Sequence, residues 1–344
     1  MSEFFIKETD FQTFVSHLMA DRRVIGPVRK KQQFVFDVLE TPADLRLDYD
    51  VTILPPKKAF FPVKQKLVEF TDKGGRSCIA PKEQVLLGVH FYDVKGIDQL
   101  DHLFEQNHPD HNYLANRKGT TVIASNVQKV SKRAFFASVG KNVKPKGHDA
   151  FLTKIHGGYH FETFTKKGEE IVRFGKFSPA DAGQGKDAAA VNAAVLEKCP
   201  EKLKWDSETI AQKMRGAFGK EEVWNDLSKT CFSCGTCNIV CPTCYCFNVE
   251  DTWNLDQVSG YRYRTWDGCQ LHDFAKVSLG GGSSENFRHD IFERYRHRMM
   301  RKSTYLNTTL GGPACVGCGR CSAGCVPDIA DPVKIIERFL EVSK

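Results

Sequence analysis

Several absences narrow what this 344-residue chain can be. No apolar run reaches the roughly 20 residues that a membrane-spanning helix needs. The opening MSEFFIKETD carries acidic and polar residues where a secretory leader would place a basic segment and then an apolar one, so a cytoplasmic protein is expected. No Gly-x-Gly-x-x-Gly opens a strand–helix unit, which argues against a dinucleotide held in a Rossmann fold. Gly280, Gly281 and Gly282 lack the preceding strand and following Lys-Ser/Thr of a phosphate cradle, and read as a turn. No nucleic-acid module accompanies the basic residues, so a nucleic-acid partner is not expected.

Cysteine, in contrast, is plentiful, and eight of the thirteen fall into two copies of one pattern. These are Cys231-x2-Cys234-x2-Cys237-x3-Cys241-Pro242 and Cys315-x2-Cys318-x2-Cys321-x3-Cys325. Two residues between ligands let the backbone wrap a cubane so that three thiolates reach three corners, while the fourth cysteine points away. In two-cluster ferredoxins that fourth cysteine serves the other cluster. The expected sets are therefore Cys231, Cys234, Cys237 with Cys325, and Cys315, Cys318, Cys321 with Cys241, holding two [4Fe-4S] clusters. Zinc is the alternative, but it favours Cys-x2-Cys knuckles separated by a longer finger, and four cysteines in one short run argue against it. One departure is visible: Val326 stands between Cys325 and Pro327, whereas Pro242 follows Cys241 directly.

The formal net charge of +7 changes meaning once cofactors are counted. Each oxidised cubane with four thiolates brings about −2, which leaves roughly +3. Thiolate-ligated clusters also suit a reducing compartment.

Apolar periodicity suggests an α+β protein: a mixed α/β part over 1–180, then a mainly helical two-cluster ferredoxin part over 181–344. A helix capped by Thr9 or Asp10 should bury Phe11, Phe14, Val15 and Leu18. Arg23 to Lys30 and Gln33 to Leu39 suit a hairpin, while Val85 to Phe91 and Thr120 to Ser125 suit strands. Ile97 to Glu105 suits a helix. Tyr159 to Thr165 is expected to turn at Lys167–Gly168 into a return strand through Val172, and 175–187 to be a linker. Helices are expected over 187–198, 208–217, 221–228 and 290–301, with Asp290 and Glu293 as cap partners, and from Asp331–Pro332 onward.

Smaller groupings carry weaker signals. Cys244, Cys246 and Cys269, with His272 near the last, lack a fourth cysteine and are expected to pack around the first cluster rather than hold a third. Cys78 and Cys199 read as packing, and His102, His108 and His111 as a polar loop. The basic run from Arg288 to Lys302 suits either a solvated face or counter-charge beside anionic clusters, able also to dock an acidic partner.

CPTCYCFNVED at 241–251, WDGC at 266–269, RHR at 296–298 and CVGCGRC at 315–321 resemble one family. It is the dicluster electron-transfer subunit shared by cytoplasmic group 3 nickel–iron hydrogenases (the sulfhydrogenase beta subunits), by anaerobic sulfite reductase and by related flavin oxidoreductases. GPVRKK at 26–31, LPPKKAFFP at 54–62 and LGVHFYDVKGIDQLD at 87–101 extend the resemblance over nearly the whole chain. It implies a subunit without an active site, passing electrons between an FAD/NAD(P)-binding diaphorase subunit on one side and a hydrogenase or sulfite reductase catalytic subunit on the other. The absence of nickel-binding cysteine pairs, sirohaem ligands and nucleotide motifs agrees. The sequence departs from that family at Phe91 and Tyr92, where many members have Pro-Cys, and over 127–136, which lacks cysteine. A redox-sensing or structural iron–sulfur protein is the alternative reading.

Overall fold

The computed structural model describes residues 2–139 and 146–341. Its largest element is a mixed eight-stranded sheet. In spatial order the strands are Ser178–Pro179, Ser2–Lys7, Gly158–Thr163, Ala150–Ile155, Thr120–Ser125, Gln84–His90, Arg23–Lys30 and Gln33–Val38. The central pairings are parallel and the outer ones antiparallel. Every residue of Gln84–His90 is buried, as a central parallel strand covered on both faces requires. With a register shift at Gly88, its residues sort into two cores. Val85 and Leu87 face Phe14, Val15 and Leu18 of the helix Glu8–Asp21, while Leu86 and Val89 face Val94, Ile97 and Leu100 of the helix Phe91–Glu105.

That second face also takes in Val316 and Cys318, so the later cysteine run is built onto the core of the first sheet. Gly96, inside the helix Phe91–Glu105, permits the approach: a Cβ there would lie 3.1 Å from Pro242 Cβ.

A four-stranded antiparallel sheet joins distant parts of the chain. Phe247–Trp253 pairs with Gly260–Trp266, which pairs with Lys64–Thr71 and through it with Gly74–Ser77. Arg264, buried at the centre of this sheet, donates to Gln65 Oε1 at 2.7 Å and to Asp110. Trp266 Nε1 donates to Phe61 O at 3.1 Å. The helices Ser207–Gly216, Glu221–Ser228, Ile291–Met300 and Pro332–Glu341 share a further core around Trp224, Tyr295 and Phe339.

The class is α+β. The expected helix starts at Ile97 and 187 move forward. The first helix begins at Phe91; the second begins at Ala182, where Asp181 and Gln184 form a capping box. Residues 175–187, read as a linker, contain the edge strand Ser178–Pro179 and the start of this helix. The return strand through Val172 is absent. Thr165 instead caps the helix Lys166–Ile171, its hydroxyl accepting from Gly168 N at 3.3 Å and donating to Asp149 Oδ1 at 2.6 Å. The antiparallel partner of Gly158–Thr163 comes before it, at Ala150–Ile155. Among the described residues no helix is long and apolar enough to cross a membrane.

Candidate metal centre

The two cysteine runs fold alike. Ser233 and Gly235 have φ of 52° and 72°, and Gly317 and Gly319, at the matching places, have 68° and 78°. A left-handed residue on each side of the middle cysteine turns successive backbone N–H groups toward one side, the geometry of an anion-binding nest. Ser233 N donates to Cys231 Sγ at 3.4 Å. Short helices follow each run, Thr236–Ile239 and Arg320–Gly324, and they pack together: a Cβ on Gly324 would lie 3.3 Å from Thr236 Cγ2.

The fourth cysteine of the first run lies with the second run. Cys241, from the first run, lines a small cavity with Cys315, Cys318 and Cys321 of the second, together with Arg298 and Lys302. Burial pushes the Cys315 thiol up to about 12, and charge on Cys321 and Cys241 adds to it. Burial likewise raises Cys318 and Cys321, with Cys241 again contributing. Cys241 itself is held well below its ordinary value by its hydrogen bond with Cys244, and Lys302, Thr243 and Lys57 add to this. In the other set, Cys231, Cys237 and Cys325 all act on the buried hydroxyl of Tyr295. Burial pushes Cys237 up to about 12, whereas Cys234 is exposed and lowered by its hydrogen bond with Thr236. The first set therefore opens further to solvent, with Cys234 exposed and Phe232 and Val326 beside it at 68% and 86% exposure, whereas in the second Cys318 is buried and the rest are half-buried.

Residues 230–329 match the family described as 4Fe-4S dicluster domain. Over 336 residues the chain is 31% identical to sulfhydrogenase 2 subunit beta of Pyrococcus furiosus, covering 96% of each protein. The chain belongs to the sulfhydrogenase beta-subunit family. No solved structure matches it.

The residues present suit what the family's dicluster domain implies. Among the described residues no three Cys, His, Asp or Glu side chains converge as a single ion demands. A tetrahedral zinc site draws its sulfurs to about 2.3 Å from one point; a cubane instead takes each thiolate at a separate iron. Cys231, Cys234, Cys237 and Cys325 would hold one cluster, and Cys315, Cys318, Cys321 and Cys241 the other. Cys244 and Cys269 are occupied differently. The Asn238 amide donates to their sulfurs at 3.6 and 3.4 Å while its oxygen accepts from Gln270 N at 3.1 Å. Burial raises Cys246, and Cys269 contributes.

For this sulfhydrogenase beta-subunit relative, sequence reasoning missed two features of the site. Lys57 is buried, donates to the carbonyls of Cys241, at 2.9 Å, and Cys244, and lies 4.4 Å from the Trp266 ring centre. Burial pushes its ammonium down to about 8, against the pull of Cys244 and Cys241. Its only signal was a lysine pair inside an apolar LPPKKAFFP stretch. Arg320, between Cys318 and Cys321, is fully committed to Asp93 and Thr52; nothing local in the sequence announces these partners.

Proposed function

We propose that this chain is the iron–sulfur electron-transfer subunit of a multisubunit cytoplasmic oxidoreductase. It relays electrons between an FAD/NAD(P)-binding diaphorase subunit on one side and a hydrogenase or sulfite reductase catalytic subunit on the other. The observation that carries the reading is the placement of Cys241 in one small cavity with Cys315, Cys318 and Cys321 of the opposite run, while Cys325 acts on Tyr295 together with Cys231 and Cys237. Crossed ligation holds two centres close together. A bound cluster takes up and returns one electron at a time. The protein's own residues supply the thiolates, the turned N–H groups and the partial burial of the second set. Residues 181–344 carry the ligands; residues 1–180 supply the sheet core on which the second set rests and a docking part for other subunits. The name of the Pyrococcus furiosus relative, a subunit of a sulfhydrogenase, favours a hydrogenase module.

The test is anaerobic recovery of the tagged chain from its native host, with mass spectrometry of what accompanies it and iron measured on the same sample. Recovery with a flavoprotein and a hydrogenase or sulfite reductase subunit, about eight irons per chain and reversible reduction would support the relay. Recovery alone, with clusters that dithionite cannot reduce, would favour the structural or sensing alternative.

A further inference from the structure

The basic run from Arg288 to Lys302 is sorted by the fold into two faces. Arg296 is engaged elsewhere, stacked on Phe218 with 4.1 Å to the ring centre and 3.6 Å from the Glu221 carboxylate. Arg294, Arg298 and Lys302, four residues apart, turn inward and are only 3%, 2% and 6% exposed. At a rise of 1.5 Å per residue they span about 12 Å. The helix Ile291–Met300 passes into a π-helical turn, Arg301–Tyr305, just before the last of them.

Each of the three addresses a different part of the cysteine site. Arg294 donates to Ser233 Oγ at 3.1 Å, between Cys231 and Cys234. Arg298 lines the cavity with Cys241, Cys315, Cys318 and Cys321. Burial opposes its charge, and Cys237, Cys321 and Cys241 more than restore it. Lys302 donates to Thr243 Oγ1 at 2.7 Å; burial opposes its charge too, and Cys241, Cys244 and Cys315 raise it. Among the described residues no carboxylate forms an ion pair with any of them, and the Nε atoms of Arg294 and Arg298 have no hydrogen-bond partner. A buried cation without an anion is strongly unfavourable, because desolvation is not repaid. The anions that would answer them are the cluster-bound thiolates of the two proposed centres.

We infer that Arg294, Arg298 and Lys302 form a row of buried counter-charges set along the electron path, acting on the two centres selectively. Arg294 serves the Cys231, Cys234, Cys237, Cys325 centre; Lys302 serves the Cys241, Cys315, Cys318, Cys321 centre; Arg298 serves both. Each centre gains one electron on reduction and gives it up on oxidation. The three side chains exchange neither electrons nor protons, and their fixed charge stabilises the more negative reduced state. The inference rests on the cysteine assignment proposed above.

The test is a potentiometric titration of the full chain followed by electron paramagnetic resonance, with iron measured on every sample. Variants are Arg294→Gln, Arg298→Gln and Lys302→Gln, and the centres are told apart through Cys231→Ser and Cys315→Ser. Each neutral variant should cut the reduced-to-oxidised ratio at a fixed potential at least tenfold, 59 mV for a one-electron couple. Arg294→Gln should do so in the first centre alone, Lys302→Gln in the second alone, and Arg298→Gln in both, with Arg298→Lys restoring the potentials. Unchanged potentials at full iron, or equal shifts of both centres in all three variants, would overturn the inference. Where a neutral variant sheds the iron of its assigned centre, retention by the charge-conserving variant supports the row; loss in that variant too makes the side chain a packing element and sinks it. Wild-type chain without two clusters would fail the cysteine assignment instead, a separate outcome.

Discussion

Arg320 forks onto Asp93 across 227 residues of chain, with nitrogen–oxygen distances of 2.5 and 2.6 Å. Both side chains are buried. Arg320 lies between two cysteines of the second run, and Asp93 in the first turn of the helix Phe91–Glu105, so the pair ties the cysteine site to the large sheet. Burial pushes the Asp93 carboxyl up and Arg320 opposes it. Removing one partner of such a pair strands the other charge, at about 3–5 kcal/mol. Asp93→Ala should lose that much in anaerobic guanidinium unfolding. Asp93→Leu with Arg320→Met should lose less than the single change, since no charge is left behind. Equal or larger loss in the double variant would show that the pair's hydrogen bonds, including those to Thr52, outweigh its desolvation.

Gly319 is fixed by backbone rather than by side chains. Its φ is 78°, and an added Cβ would stand 2.3 Å from Arg133 O. Gly281 has φ 56° and nothing within 4 Å of that position. A left-handed residue costs about 1–2 kcal/mol by itself, so Gly281→Ala should lose no more than this in urea unfolding. Gly319→Ala should lose clearly more and also bind less iron, because a main-chain carbonyl must move. Similar losses for the two would mean that the backbone at Arg133 yields freely.

Legibility followed the range of the interactions. The cysteine spacing was readable because wrapping a cluster is a matter of a few consecutive residues. The helix Glu221–Ser228 and the capping box of Asp290 with Glu293 were readable for the same local reason. The pairing of Lys64–Thr71 with Gly260–Trp266 was not; KQKLVEFT and GYRYRTW carry many charges, and neither names its partner. Lys166–Ile171 was mistaken for a turn because Lys167 and Gly168 mimic one, whereas the Thr165 cap decides the matter. Buried cations are the hardest case: the run from Arg288 to Lys302 could be read as solvated or as counter-charge, and nothing local in the sequence announces that Lys57 is buried against the carbonyls of Cys241 and Cys244.

The crossed arrangement makes a counting prediction. Cys231→Ser and Cys325→Ser, ninety-four positions apart in the sequence, should each cost one cluster, leaving about four of about eight irons per chain. On the proposed assignment they serve one centre, so combining them should cost no further iron. Cys231→Ser combined with Cys241→Ser should remove nearly all, since Cys241 lies with Cys315, Cys318 and Cys321. Iron and acid-labile sulfide assays on anaerobically purified variants check this. Additive loss in the first pair would assign Cys325 to its own run.

His297 gives the chain a pH dependence that can be isolated. Burial, with Arg288 and Arg301 nearby, pushes its imidazole down to about 4, against about 6.5 in an unfolded chain. Between these values the unfolded state takes up a proton that the folded state refuses, so stability rises with pH through the window. The contribution is complete above about 6.5 and is lost as pH falls toward about 4. His90, buried and stacked on Tyr49 with 3.8 Å between ring centres, is also held well below its ordinary value, by burial and Arg320. It supplies slope of the same sign. His297→Gln should therefore keep part of the pH dependence while narrowing the gap in unfolding midpoint between pH 5.5 and pH 7.5. Arg288, Arg296 and Arg301 stay charged throughout this range. An unchanged gap would mean that His297 is solvated enough in the folded chain to titrate as it does unfolded.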